Sequence, residues 1–495
     1  MVISSVQPMN ISRLFSIGVL LLLIPLFFLN VKDSHDWGDD FAQYLIQARN
    51  IVEGRQQTDN GLIMNSENNV YAIKAYPVGL PLILAPIYYF FGLSIFPYDL
   101  LITAFLVFAG FFCYKFLSAK INHSSALLIT LLFCYNPLLL EIKKSILSEI
   151  PFTAVLLILL VWTEHPFYRK KYSWLITGLI LCALVSLRLA GLTVIIAYTL
   201  FEWNAIRLNL KNNERNSHYK KLGYSLFLAI SLFYSVNELF FRIDVPGLLK
   251  FYLTSFSSLS FKGAENISDY YTQLKFVFPF FGTSIPSFWI FAAFAGWLIS
   301  FIKSPSLSEF IFPVYSLLII FYPYSDAGLR FIIPILPLLI FYAIIFLYNL
   351  ISKSKYHFLI LNILIVFLLC GYIRPVSRII SSQYTVEDGP QKNTSQELFS
   401  YIKRTPQNTS IVFCRARAMS LYSGRPSQYP GKNQTDEEIH AILFKQNPLY
   451  IVLPKVNGQN EIIDARMEKY IEKNIILYTM EWENDAFKIY KQKNN

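Results

Sequence analysis

Charged residues are scarce in this chain. Asp, Glu, Lys and Arg make up 15% of its 495 residues, against 54% hydrophobic and 17% aromatic. A soluble protein carries about 25% charged residues, so the shortage excludes an ordinary soluble globule. Cysteine is scarce too: Cys113, Cys134, Cys182 and Cys370 lie in or beside apolar runs, and Cys414 stands in a polar stretch, a distribution that supports no disulfide framework. The six histidines are scattered, with His35 alone near a group of acids. No internal repeat or low-complexity tract is present. The net charge of +11 would fit a nucleic-acid binder, but the basic residues occupy short loops between apolar runs. That is the pattern of a polytopic membrane protein with its positive loops inside, not of a basic groove.

What the chain has in abundance is long apolar runs. Runs near spanning length occur at 14–31, 97–118, 124–140, 151–163, 173–188, 190–203, 223–240, 286–303, 309–323, 331–350 and 357–373. The first could be a signal peptide, but "NVKDSHDWGDD" after it offers no small-residue cleavage site, and it reads as an uncleaved span. The loops "HPFYRKKYS", "RLNLKNNERNSHYKKLG" and "SKSKYH" are basic, while 32–77, 241–285 and "YPYSDAGL" are longer or acidic. A further run, 78–93, would reverse every later loop if it crossed. Its two prolines and the short gap before the next run favour a re-entrant or interfacial segment. About eleven spans then put the N-terminus in the cytoplasm and the first loop, Gly54 and Asn495 outside, with 164–172 and 205–221 inside. The expected fold class is therefore an α-helical polytopic membrane protein with a small C-terminal α/β soluble domain. The membrane module covers 1–373, and an outer-face domain covers 374–495.

In that last domain "ELFSYIKR" and "EIIDARMEKYIEKN" read as amphipathic helices, and "SIVFC", "LYIVLP" and "IILYTMEW" as short strands. It carries no Gly-rich phosphate loop and no Cys/His cluster at metal spacing, so it reads as an accessory domain.

The candidate chemistry lies in the first loop. "DSHDWGDD" places Asp33, Asp36, Asp39 and Asp40 within eight positions, just after an apolar run. From Phe41 onward, Phe41, Tyr44, Leu45, Ala48, Ile51 and Val52 recur at helical spacing, and Gly54 is a stop signal. Such a helix could lie on the membrane with Asp39 or Asp40 as its N-cap. An acid pair at a helix start is equally a place for a base that must meet a lipid-borne substrate. Glu149, in "KKSILSEIPFTA", is a second acid at a membrane boundary, where an unpaired carboxylate is costly. Lys143 and Lys144 before it could balance an anion. Lys74, Arg188 and Arg330 all fall on the same expected face. Each alone could be a snorkelling anchor, yet together they suit a lipid phosphate, which arginine binds with two parallel hydrogen bonds. Asp39, Asp40 and Glu149 could also hold a hard divalent cation through oxygen; no cofactor is otherwise implied.

The succession "GDDFAQYLIQARNIVEGR", "YPVGLPLILAPIYYFFG", "SEIPF", "SLRLAGL", "RFIIPILPLL" resembles the GT-C superfamily, in particular its ArnT-like and protein-O-mannosyltransferase-like members. "FCRARAMSLYSGR" is similar to a segment in the outer domains of bacterial members. The acid pair followed by Tyr44 is the most specific part. The resemblance implies a catalytic base at Asp39, with Asp40 beside it and Glu149 as the second outer acid. It also implies substrate contacts from Tyr44, Tyr76, Arg188 and Arg330, and a phosphate-handling lysine just before a Pro-rich run. Here Lys74 is separated from Pro77 by two residues. The implied partners are a polyprenyl-phosphate sugar donor, a glycan, lipid or protein acceptor, and the bilayer, with no nucleic acid. The implied activity is an inverting transfer of one sugar on the outer face of the cell membrane. Chemistry agrees: a sugar on a lipid phosphate already has a good leaving group. It needs cations to receive charge and one base for the acceptor hydroxyl, unlike glycoside hydrolysis with its two carboxylates. A lipid flippase or transporter, and an O-antigen ligase or polymerase, are the rival functions. The first usually shows charges or broken helices near mid-membrane in both halves. The acid pair immediately after the first span argues against the second.

Overall fold

The structure, a computed structural model, describes residues 11–63, 73–208, 212–257, 263–274, 286–322, 325–382, 384–429, 435–444, 449–455 and 461–493. The chain is mostly helical and forms two compact units. One comprises Met1–Val31, Asp99–Asn237 and Tyr252–Tyr384, and the other comprises Lys32–Tyr98, Glu238–Phe251 and Thr385–Asn495. Asn495 itself, used above to fix the topology, lies outside the described residues.

The first unit holds most of the apolar helices. Among the described residues, five helical stretches are long and apolar enough to cross a membrane: Phe96–Ser118, Arg215–Phe240, Pro286–Lys303, Arg330–Ile351 and His357–Ser382. The chain is a multi-pass membrane protein. Other expected spans form shorter helices, including His123–Cys134, Glu149–Glu164, Ser173–Leu187, Gly191–Arg207 and Leu307–Ile320. Proline explains several breaks. The expected run 124–140 stops at Cys134 and resumes as Pro137–Ile142, with Asn136 Oδ1 accepting from the Leu138 amide at 3.0 Å. Pro334 lacks an amide proton and disfavours α geometry before it, so Ser325–Ile335 is 3₁₀ and the α-helix starts at Leu336. Close packing needs small residues where two backbones meet. Helices Pro286–Lys303 and Leu336–Ile351 pack together at Gly296, where an added Cβ would stand 1.9 Å from the Tyr342 carbonyl oxygen.

The second unit is built on a five-stranded sheet of β1 (Ser410–Val412), β2 (Ser427–Gln428), β3 (Leu449–Pro454), β4 (Tyr478–Glu483) and β5 (Phe487–Gln492), in the order β2-β1-β3-β5-β4. β1 runs parallel to β2 and β3, while β5 is antiparallel to β3 and β4. The strands expected in "SIVFC", "LYIVLP" and "IILYTMEW" are β1, β3 and β4. Val412, Ile451, Leu453, Met467, Tyr470 and Tyr478 form its core. The first loop belongs to this unit. The Ile63 amide donates to the Ser427 carbonyl at 2.8 Å and the Ser427 amide to that of Gly61 at 2.9 Å, covering an edge that would otherwise invite a foreign strand. Gly61 (φ +66°) is required there, because a Cβ would lie 2.0 Å from Ser420 Oγ.

Candidate active site

Helix Asp39–Glu53 forms as its periodicity requires and ends at Gly54, whose φ of +69° supplies the left-handed turn that glycine adopts without steric cost. Its start corrects one expectation. Gly38 is the N-cap, and Asp39 and Asp40 occupy the first turn, where the helix dipole favours negative charge. Neither aspartate is needed as a cap. Most of the helix's apolar face is covered by protein: Phe41, Tyr44, Leu45 and Ala48 are buried, and so are Gln43, Gln47 and Asn50. It packs on helices Gly79–Phe91 and Ala416–Ser423.

The buried amides have a job. Buried polar groups must be hydrogen-bonded, and these are spent on the backbone of the loop. Gln47 Oε1 accepts from the Tyr76 amide and its Nε2 donates to the Tyr76 carbonyl, both at 2.9 Å. Asn60 Nδ2 donates to the Lys74 carbonyl at 2.9 Å, and Gln43 Nε2 to the same oxygen at 3.3 Å. Residues 74–76 are thereby fixed against the helix. The Lys74 side chain is left exposed, and the Tyr44 and Tyr76 rings lie 5.1 Å apart.

That placement brings Tyr76 to the acid pair. Its hydroxyl donates to Asp40 Oδ1 at 2.6 Å and accepts from Arg417 Nη1 at 2.8 Å; Arg417 Nη1 is also 3.4 Å from Asp40 Oδ1. The guanidinium carbon lies 5.2 Å from the Tyr76 ring centre. Burial pushes the Tyr76 phenol well above its ordinary range and the Asp40 charge adds to this, while Arg417 opposes both. Tyr76 is therefore a neutral donor across the physiological range. Asp39 takes a different partner: its Oδ1 accepts from the Ala418 amide at 3.2 Å. Arg417 escaped the sequence reading. The available signal was three arginines within the apolar-rich "FCRARAMSLYSGR"; nothing local revealed that Arg417 is buried.

The first unit holds a second cluster. Glu149 begins helix Glu149–Glu164 and is almost fully buried. Its Oε1 is 2.7 Å from Arg188 Nη1 and 3.6 Å from Arg330 Nε. Arg188 also donates to Ser148 Oγ at 3.0 Å. Both guanidinium carbons flank the Phe331 ring, at 5.2 and 5.4 Å from its centre. Burial raises the Tyr270 phenol to about 12, against the lowering influence of Arg330 and Arg188. Three residues drawn from separate loops thus come together. Lys143 and Lys144 do not join them. Lys143 is fully buried and pairs with Asp99 at 3.7 Å, and Lys144 pairs with Glu141 at 3.2 Å. Among the described residues no group of three or more His, Cys, Asp and Glu side chains is arranged to hold a metal ion.

No protein-family model and no curated protein sequence matches the chain. Solved structures do. The chain is similar to ArnT from Cupriavidus metallidurans bound to undecaprenyl phosphate (13% identity, 98% of both chains, TM-score 0.52). It is also similar to the same protein in the apo state (12% identity, 97% of this chain and 98% of that one, TM-score 0.55). The Archaeoglobus fulgidus oligosaccharyltransferase tethered to an acceptor peptide containing the NVT sequon matches over 98% of this chain and 74% of its own (12% identity, TM-score 0.59). At such identities the likeness is one of fold: the chain is folded like ArnT and the oligosaccharyltransferase.

Proposed function

We propose that this membrane protein of GT-C fold is a glycosyltransferase that moves one sugar from a polyprenyl-phosphate carrier to an acceptor hydroxyl or amide, with inversion. The observation that carries the reading is the Asp39–Asp40 pair. It sits in the first turn of a helix whose cap is supplied by another residue, in a chain folded along nearly its whole length like an enzyme crystallised with undecaprenyl phosphate. In this reaction Asp39 accepts the acceptor's proton as the acceptor atom bonds to the anomeric carbon. The bond from that carbon to the phosphate oxygen breaks, and the lipid phosphate leaves with the electron pair. Asp40, tied to Tyr76, supports Asp39. Arg188 and Arg330 receive the phosphate charge. A guanidinium carries five donors in a planar fork, so it can bind a carboxylate on one edge and a phosphate on the other. Tyr44, Tyr76 and Lys74 are the remaining substrate contacts. A divalent cation on the acid pair belongs to this scheme if chelation abolishes transfer.

Purified protein incubated with radiolabelled polyprenyl-phosphate sugars tests the whole reading, with peptide, glycan and lipid acceptors assayed separately. Failure to move label from any donor would leave a flippase or transporter as the better account. Within the scheme, Arg330→Lys replaces a planar fork by a point charge. The expected result is an inserted protein with impaired donor use, costing about 2–4 kcal/mol in kcat/KM, the scale of a lost oxyanion donor. Unchanged donor kinetics in both Arg330→Lys and Arg330→Ala would reduce the residue to an anchor.

Orientation is part of the proposal: the N-terminus cytoplasmic and the C-terminal domain on the outer side of the cell membrane. Ser217 and Ser400 are exposed. Each is to be changed to cysteine in a background lacking the accessible Cys370 and Cys414. An impermeant thiol reagent is expected to label Ser400→Cys in intact cells and Ser217→Cys only after permeabilisation. Labelling of both from one side overturns the topology.

A further inference from the structure

Arg417 stands 377 positions beyond Asp40 in the chain, yet its guanidinium is 5% exposed and makes the ion pair described above. A buried guanidinium keeps its charge and needs a counter-charge in place. It has one in Asp40, both directly and through the Tyr76 hydroxyl, which accepts from Arg417 and donates to Asp40. The next residue completes the arrangement, because the Ala418 amide donates to Asp39. Consecutive residues of one short helix, Ala416–Ser423, therefore hold the two consecutive aspartates of another. Helix-to-helix packing alone does not call for this. Ala416, Met419 and Leu421 are buried apolar residues of the same helix, and a donor placed on one oxygen of each carboxylate adds geometry rather than burial.

We propose that Arg417 is a positioning residue for the transfer reaction: it fixes the orientation and charge of the Asp39–Asp40 pair, which makes the C-terminal domain part of the catalytic apparatus. The proposal rests on the glycosyltransferase reading of the acid pair. Its physical basis is that two adjacent carboxylates each disfavour ionisation of the other, and a guanidinium beside one relieves both. Set against Asp40 among the described residues are its neighbour Asp39 on the same helix, Tyr76 from the loop with Tyr44 beside it, and Arg417, whose guanidinium brings a positive charge. Tyr76 is neutral, so it orients the carboxylate without cancelling its charge.

The test uses full-length purified protein with Arg417→Gln, Arg417→Lys and Tyr76→Phe. Two quantities are followed against pH. One is sugar transfer from a labelled polyprenyl-phosphate donor. The other is labelling of Asp39 and Asp40 by carbodiimide with glycine ethyl ester, read by fragment mass spectrometry, which needs no turnover. For Arg417→Gln the acid limb of the rate profile and the labelling midpoint are expected to move up by about 1–3 pH units, the size of an arginine's influence on a neighbouring aspartate. kcat is expected to fall by up to about 10²-fold, the scale of a misplaced reacting group, with donor KM little changed. Arg417→Lys is expected to restore much of both. Tyr76→Phe keeps the ring under the guanidinium and should shift both quantities less, in the same direction; it carries the test should Arg417→Gln fail to fold. Wild-type pH dependence of transfer and labelling in Arg417→Gln overturns the proposal, as does a loss of rate equal at every pH with labelling unchanged. If wild-type protein transfers no sugar while Arg417→Gln still moves the labelling midpoint, the glycosyltransferase reading falls and the coupling stands.

Discussion

Replacing Asp39 with asparagine is expected to leave the protein inserted and folded but to lower sugar transfer by roughly 10²–10⁴-fold, the range over which general-base removal acts. The change is nearly isosteric. Helix Asp39–Glu53 is capped by Gly38, and the side-chain carbonyl of asparagine can still accept from the Ala418 amide. What disappears is the ability to take a proton. Asp40→Asn should separate from it in kind. Asp40 is the counter-charge of a buried guanidinium, so its loss is expected to cost folding stability and a smaller share of activity. Radiolabel transfer by detergent-purified variants, normalised to folded protein, distinguishes the two. Near wild-type transfer by Asp39→Asn with inactive Asp40→Asn would shift the base by one residue. Activity in both would make the acid-rich loop structural and remove the main support for the enzyme assignment.

Glu149→Gln is expected to destabilise the protein by about 3–5 kcal/mol, because removing one member of a buried ion pair strands the other. Glu149 is 1% exposed, while its partners Arg188 and Arg330 are 16% and 26% exposed, which places the figure toward the lower end. The proposed function adds a second expectation. If these arginines receive a lipid phosphate, that anion can stand in for the missing carboxylate. Polyprenyl phosphate should then raise the thermal midpoint of Glu149→Gln more than that of wild type, since a ligand that binds the folded state alone stabilises it by mass action. Thermal unfolding of the two proteins with and without the lipid checks both statements. An unaltered midpoint would mean Glu149 contributes nothing as an ion-pair partner, and equal lipid effects would remove phosphate from this cluster.

The helix of the first loop shows how far periodicity reaches. Phe41, Tyr44, Leu45 and Ala48 announced a helix, and Gly54 announced its end, because both signals are local: a 3.6-residue repeat and a residue without a Cβ. The buried face was only half legible. Gln43, Gln47 and Asn50 look like a solvated stripe, and are buried because backbone carbonyls meet them there: those of Lys74 and Tyr76 for Gln43 and Gln47, and those of Gln56 and Asp59 for Asn50. In the C-terminal domain the same limit applies. β3 was legible as a continuous apolar run. β2, with two residues, carries no periodicity at all and exists through its neighbours.

The sequence by itself determined that this is a multi-pass membrane chain, since sparse charge and repeated apolar runs are properties of composition and order. It also singled out Asp39, Asp40, Glu149, Arg188 and Arg330, because ionisable groups beside apolar runs are costly enough to stand out one at a time. The tertiary structure alone decided how they are partnered. Arg417 meets Asp40 across 377 residues, and Glu149 meets Arg188 and Arg330 from separate segments of the chain. Such pairings depend on which elements pack together, and Coulomb attraction in a buried setting acts on distance in space, which spacing along the chain does not encode.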